Sequence, residues 1–115
     1  MKEKIGDKAR LEHILESVRL IRKFVEEATF EDFSSNEMLF SACVRHLAII
    51  GEAATSLTNE LRTNHPEVAW SQMVGMRNIL VHRYFGTSEK VLWLTIEQDL
   101  PALEKQVEAI LEELK

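Results

Sequence analysis

The sequence predicts an all-α protein, an antiparallel bundle of four to five helices forming a single domain over residues 1–115. Two prolines and four glycines are the only strong helix breakers, and 45% of the residues are apolar against 29% charged. That balance is typical of globular chains, and the abundance of Leu, Glu, Lys and Ala favours helices. Apolar residues recur at spacings of three and four, which indicates helices with one buried face each.

The first two predicted helices cover residues 7–28 and 35–62, each with one apolar stripe. Leu20 and Phe24 lie outside the first stripe, as broadened core or as a subunit contact. The stripes consist of Leu11, Ile14, Leu15, Val18, Ile21, Val25, Ala28, Leu39, Cys43, Leu47, Ile50, Ala54, Leu57 and Leu61. We expect these residues to form the core.

Between the two helices, the sequence of residues 29–33 breaks the apolar pattern and predicts a turn or a single helical turn. Ser34, followed three residues later by Glu37, predicts a capping box at the start of the second helix. Phe33 and Met38 flank this box and are placed to form a hydrophobic staple around it.

Small residues cluster in the middle of the second predicted helix. Gly51 there costs about 1 kcal/mol relative to alanine, so we expect a compensating interaction. Together with Ala48 and Ala53 it forms a surface on which another helix can approach closely. That helix belongs either to the same fold or to a second copy across a dimer.

Turn signals divide the remainder of the chain. Residues 64–66, with a proline last, end the second helix and open the next, which makes His65 a turn residue rather than a ligand. The third helix starts near Trp70. Residues 87–88 offer a cap for the fourth, which kinks or restarts at 99–101.

Composition also narrows the class of protein. The net charge of −5 argues against a broad basic surface, although a nuclease can concentrate a few cations in one cleft. The histidines and the single cysteine lack metal-ligand spacing, and no glycine-rich phosphate loop follows a strand, so we expect neither metal nor cofactor. Because Cys43 is the single cysteine, no internal disulfide can form, and we expect a reducing, cytoplasmic compartment. Its place on the apolar stripe suits a core residue better than a nucleophile. No apolar stretch approaches the roughly 20 residues of a membrane span.

Polar and cationic residues crowd into the segment 75–86. They are Arg77, Asn78, His82, Arg83 and Tyr84. Asn78 and His82 are four residues apart and share a helical face, so the amide can orient the imidazole. Arg77 lies about 140° away from His82 on a regular helix. Either the helix ends near Val81, with Gly86 terminating it, or two copies of the segment build one site.

The order of Arg77, four intervening residues, His82, one residue and Tyr84 resembles the signature of the HEPN superfamily. Residues 73–78 and 84–86 resemble its HepT branch more narrowly, as do 49–54, 65–67 and 99–101. The resemblance implies a small helical ribonuclease toxin of a HEPN/MNT toxin–antitoxin pair, acting as a homodimer. It further implies a minimal nucleotidyltransferase as antitoxin partner, which silences the toxin by attaching AMP to Tyr84.

The residues themselves suit cleavage of RNA without a metal. RNA carries its own nucleophile in the 2′-hydroxyl, and a histidine with a pKa near ~6.5, here His82, can act as general base or acid. Arg77 can stabilise charge on the scissile phosphate. Asn78 would orient His82 or bind phosphate, and Arg83 would add positive charge. The expected products end in a 2′,3′-cyclic phosphate, or its hydrolysed form, and a 5′-hydroxyl.

Each of these residues also has a purely structural interpretation. Arg77 could cap carbonyls or pair with an acidic neighbour, His82 could favour a helix C-terminus, and Tyr84 with Phe85 could close the end of the bundle. An alternative function is a non-catalytic helical module that binds a nucleotide or a nucleotidyltransferase. A helical dimerisation domain without a ligand is a third.

Overall fold

The computed structural model describes residues 6–82 and 88–115, without the side chains of Val81 and His82. Within these ranges the chain is helical and has no strand, which confirms the all-α prediction. The helices are α1 (Asp7–Phe24), α2 (Phe30–Ser35), α3 (Glu37–Ser56), α4 (Asn59–Asn64), α5 (Trp70–His82), α6 (Glu89–Leu94), a π-helical turn (Thr95–Asp99) and α7 (Leu100–Glu113).

The four longer helices form the bundle. α3 packs against α1 on one side and against α5 on another, and α1 also packs against α7. The predicted stripes of α1 and α3 supply much of the core, although Val25, Ala28 and Leu39 are only partly buried. Phe24 stays 38% exposed, with its ring 5.9 Å from that of His46. Cys43 is fully buried, and burial raises the pKa of its thiol to about 11.

By length and composition alone, α3 could cross a membrane, contrary to the expectation from the sequence. It spans 20 residues, with a mean hydropathy of 1.2 over an 18-residue window. Core helices of bundles share these properties, and α3 contacts α1, α2 and α5. Its buried side chains, among them Cys43, Leu47 and Ile50, belong to the core of the bundle.

The connection after α1 forms a helix of its own, α2. Thr29 is its N-cap: the Thr29 hydroxyl accepts a hydrogen bond from the Asp32 backbone at 3.1 Å, and the Thr29 backbone donates to the Asp32 carboxylate at 3.0 Å. This is a capping box. The short helical turn expected over 29–33 is thus confirmed, although the helix ends two residues later than predicted.

The capping box predicted at Ser34 and Glu37 is wrong. Asn36 caps α3 instead, with its side-chain oxygen accepting from a backbone amide of the first turn at 3.1 Å. The Ser34 hydroxyl donates to Glu89 at 2.6 Å, because α2 brings it beside α6. Met38 is 83% exposed, so the predicted staple does not form either.

The prediction of a single helix over 35–62 is also wrong, because α3 ends at Ser56. Thr58 caps a separate helix, α4, and accepts a hydrogen bond from a backbone amide at 3.2 Å. Its backbone and hydroxyl donate to the Asp7 carboxylate at 3.0 and 2.7 Å. This contact with the start of α1 holds the break in place.

The predictions for the later helices are confirmed at their boundaries. α4 ends at Asn64, and α5 begins at Trp70, whose indole nitrogen donates to the His65 carbonyl at 2.9 Å. Ser88 caps α6. The chain then leaves α-helical geometry through the π-helical turn and restarts as α7, with proline in its first turn.

Ion pairs connect α1 to α7 along the surface of the bundle. Arg19 donates to Glu104 at 3.1 Å and also pairs with Glu108, and Arg22 pairs with Glu104. Burial alone would raise the pKa of Glu104, but hydrogen bonds from Arg22 and Arg19 outweigh it, so the pKa is lowered. These pairs tie the first and last helices together.

Candidate functional site

The close packing predicted around Gly51 occurs within the fold, where α5 crosses α3. A Cβ added to Gly51 would lie 2.2 Å from the Cβ of Arg77 and 2.7 Å from the carbonyl oxygen of Met73. Neither distance is possible without moving a helix. The absence of a side chain at Gly51 therefore sets how near the base of Arg77 lies to α3.

Arg77 reaches across this crossing to an acidic residue on α3. Its Nε donates to Glu52 Oε2 at 2.8 Å, and its Nη2 donates to the same oxygen. The Arg77 side chain is 27% exposed and that of Glu52 is 57% exposed. The ion pair is therefore partly exposed, with the carboxylate side chain more exposed than the arginine.

Asn78 holds the other side of the same guanidinium. Arg77 Nη1 donates to Asn78 Oδ1 at 3.0 Å. The amide oxygen of Asn78 is therefore engaged by Arg77, whereas the predicted contact of Asn78 with the imidazole of His82 concerns a side chain outside the described residues. The structure thus brings two of the five predicted site residues, Arg77 and Asn78, into direct contact.

His82 is the last described residue of α5, and its backbone is helical. An end of the helix before His82 is not what the structure shows. On a regular helix, Arg77 and His82 leave the axis about 140° apart, and both an end of the helix near Val81 and a site built from two copies stay predictions. Arg83, Tyr84 and Gly86 lie outside the described residues, and the convergence of Arg77 with His82 stays a prediction.

Glu52 is the site residue that sequence reasoning missed. In the sequence it is only one member of the segment 49–54, among small and apolar residues. A signal was present, since Gly51 predicts the close approach of a helix and Glu52 is the adjacent anion. An arginine on the approaching helix is then a natural partner for that carboxylate.

The other histidines with described side chains have structural partners or lie exposed. Ser17, which is buried, places its hydroxyl oxygen 3.0 Å from Nδ1 of His46. Burial, and then the charge of Arg45, lower the pKa of His46, with Glu16 opposing them. Nδ1 of His65 lies 3.5 Å from the carboxylate of Glu67. Over residues 6–82 and 88–115, no group of three or more His, Cys, Asp or Glu is arranged to hold a metal ion.

A separate apolar groove of about 490 Å³ lies between α5, α7 and the π-helical turn. Its floor includes Ile50, Met76 and Leu103, and Gln72, Gln98 and Gln106 are among its polar lining residues. Neither Arg77 nor its two hydrogen-bond partners line this groove. The groove is therefore distinct from the arginine cluster.

Comparison with known proteins gives the family of the chain. Residues 14–110 match the family described as Ribonuclease HepT-like. A candidate RNase of Caldanaerobacter subterraneus subsp. tengcongensis is 44% identical over 105 residues, which cover 91% of this chain and 94% of the relative. The probable ribonuclease HepT of Thermococcus cleftensis is 40% identical over 93% of this chain and 97% of its own.

A further relative, a candidate RNase of Methanocaldococcus jannaschii, is 41% identical over 90% of this chain and 94% of its own. No solved structure matches the chain significantly. The family match covers most of the chain, and these relatives align over nearly their whole length. The chain therefore belongs to the HepT-like ribonuclease family.

Proposed function

We propose that this protein is the toxin of a HEPN/MNT toxin–antitoxin system, an RNA endonuclease that acts without a metal ion in the cytoplasm. Membership of the HepT-like ribonuclease family supports the activity, as do the relatives named as RNases. The observation that carries the proposal is the guanidinium of Arg77, held at the surface by Glu52 and Asn78. It is a fixed, reachable cation of the kind that binds phosphate.

The reaction follows from the chemistry of RNA. His82, as general base, takes the proton of a 2′-hydroxyl, and the 2′-oxygen attacks the adjacent phosphorus. The bond from phosphorus to the 5′-oxygen breaks, and that oxygen takes a proton from water to leave as a 5′-hydroxyl. Arg77 donates to the non-bridging oxygens, on which negative charge develops. Arg83 adds positive charge beside the strand.

We place the complete site at the boundary between two copies of the chain. Arg77 and His82 leave a regular helix in different directions, and the helix continues through His82. A homodimer in which two copies of α5 face each other lets the arginine of one protomer meet the histidine of its partner. Mixing Arg77→Ala with His82→Ala protein tests this arrangement, because mixed dimers regain one intact site while either variant alone stays inactive.

The activity is tested with purified protein and RNA in the presence of a chelator. We expect cleavage by the wild type and a loss of at least ~10²-fold in rate for Arg77→Ala and for His82→Ala. Circular dichroism must show that both variants remain folded. Cleavage that persists in both folded variants would contradict the assignment of these residues.

Tyr84 is the proposed point of control by the antitoxin. A nucleotidyltransferase partner would transfer AMP from ATP to the Tyr84 hydroxyl and release pyrophosphate. The attached phosphate is anionic and bulky, so it would oppose the charge of Arg77 and obstruct RNA. Mass spectrometry after incubation with the partner and ATP should show AMP on Tyr84, and none on Tyr84→Phe. An unmodified Tyr84 would remove this part of the proposal.

One observation favours a rival function, a non-catalytic module that binds a nucleotide or a nucleotidyltransferase. Glu52 neutralises much of the charge that Arg77 would offer to RNA. In that case Arg77→Ala weakens nucleotide binding, while the wild type cleaves no RNA. The cleavage assay and a binding titration on the same samples separate the two functions.

A further inference from the structure

We propose that Glu52 is a positioning residue of the ribonuclease site, which orients the guanidinium of Arg77 for the transition state and simultaneously limits how tightly RNA binds. This inference rests on the proposed function. It assigns to α3 a direct part in a site whose other residues all lie on or after α5.

The hydrogen bonds that Glu52 and Asn78 accept engage three of the donors of the guanidinium. Arginine carries five N–H donors, and three of them are engaged: Nε and one on Nη2 by Glu52, and one on Nη1 by Asn78. Among the residues that the structure describes, one donor on Nη1 and one on Nη2 have no hydrogen-bond partner. Such a pair matches two oxygens of a phosphate group. Glu52 therefore occupies the side of the fork and leaves two terminal donors available.

Glu52 also removes motion that the reaction would otherwise have to suppress. A free arginine side chain loses rotamer entropy when it is ordered. Arg77 is ordered from both sides before substrate arrives, because Glu52 holds two of its nitrogens and Asn78 holds the third. The Cβ of Arg77 is also fixed in position, because Gly51 lets α5 contact α3 closely there. A donor fixed before the reaction stabilises developing charge most effectively.

The same carboxylate has an opposite effect on binding. Glu52 is 57% exposed and pairs with the arginine that contacts phosphate, so it repels the anionic RNA in the ground state. Orientation raises kcat, and repulsion raises KM. This combination separates positioning from simple support of the fold, for which loss of Glu52 would impair kcat and KM together. It also separates positioning from obstruction, for which loss of Glu52 would raise kcat.

The test compares Glu52→Ala and Glu52→Gln with the wild type in steady-state cleavage of a short single-stranded RNA. We expect Glu52→Ala to lower kcat by about 10-fold or more, since misplacement of a catalytic group by 1 Å can cost about 10²-fold. Glu52→Gln keeps an oxygen that accepts from Arg77 and should recover part of that loss. Both variants should show a lower KM than the wild type.

Glu27→Gln is the matched control for charge. Glu27 is exposed in the connection between α1 and α2, and its side chain makes no hydrogen bond or ion pair with the described residues. It should leave kcat unchanged and alter KM less than Glu52→Gln does. If Glu52→Ala fails to fold, Glu52→Gln decides, with a lowered kcat and a lowered KM as the supporting result.

The inference is overturned if either folded variant of Glu52 matches or exceeds the wild-type kcat, or if KM rises. It is also overturned if Glu27→Gln reproduces the effects of Glu52→Gln. Failure of the proposed function is visible separately, because then the wild type cleaves no more RNA than Arg77→Ala. That result would overturn both proposals, whereas cleavage that needs Arg77 but not Glu52 overturns only this one.

Discussion

Gly51 and Arg77 face each other so closely that a methyl group on Gly51 would come within 2.2 Å of the Cβ of Arg77. The position of the arginine on the surface therefore depends on a residue with no side chain, located one helix away. Gly51 precedes Glu52, the carboxylate that holds the guanidinium. Two adjacent residues of α3 thus act on Arg77: Gly51 allows the close position of its Cβ, and Glu52 holds its guanidinium.

Gly51→Ala should destabilise the protein by about 1–3 kcal/mol, because the added carbon overpacks the crossing of α3 and α5. Gly75→Ala is the matched control. Gly75 lies within α5, and nothing is found within 4 Å of a Cβ placed there. Its replacement should stabilise the protein by about 0.5–1 kcal/mol, since alanine suits a helix interior better than glycine.

Urea unfolding of both glycine variants and the wild type measures these differences. The RNA cleavage rate of Gly51→Ala should fall in addition, because a displaced α5 carries Arg77 away from Glu52. Equal stability of the two variants would show that the close contact at Gly51 is not a constraint in solution.

Arg77→Lys should reduce cleavage by about 10²-fold or more while keeping the positive charge. An ammonium group cannot bridge Glu52, Asn78 and a phosphate at once, because it lacks the planar fork of the guanidinium. The matched change Arg45→Lys, at an exposed position of α3, should leave the rate unaffected. A lysine at position 77 that supports wild-type cleavage would mean that charge alone is required.

The free energy of unfolding should decrease as the pH is lowered below about 6.5, because of the titration of His46. The pKa of His46 in the folded protein is lowered from its ordinary value of 6.5 by burial and by Arg45, against the charge of Glu16. The unfolded chain then binds more protons in the window below 6.5, so acid favours unfolding. The contribution of His46 is complete above its unfolded pKa and is lost as pH falls through the lower, folded value.

Unfolding free energies measured at about pH 7.5 and about pH 5.5 test this expectation. His46→Gln should reduce the difference between the two pH values, and His13→Gln, at an exposed position of α1, should leave it unchanged. An unaltered pH dependence in His46→Gln would rule out the titration of His46 as its source.

The sequence predicted the helices and their buried stripes because both follow from local periodicity. It also predicted the close approach at Gly51, since a glycine within a helix needs a compensating contact. The break at Thr58 was missed because it depends on Asp7, a residue 51 positions away. A hydroxyl and a carboxylate that meet only in the folded chain leave no local pattern.

In the candidate site, too, some residues can be recognised in the sequence and others only in the fold. Arg77 and Asn78 are conspicuous in the sequence, because polar side chains there interrupt an apolar helix. Glu52 is one of many glutamates, and its role emerges only when α3 and α5 cross and bring it to an arginine 25 residues further along the chain. Helical periodicity places a side chain on a face but does not identify the neighbouring helix.

The most direct test of the account is the chemical identity of the RNA ends. RNA incubated with the wild-type protein in excess chelator should give fragments ending in a 2′,3′-cyclic phosphate or its hydrolysed form, paired with 5′-hydroxyl ends, as resolved by mass spectrometry. Arg77→Ala should yield neither. Fragments with 5′-phosphates, formed only when a divalent ion is supplied, would contradict cleavage by an arginine and a histidine.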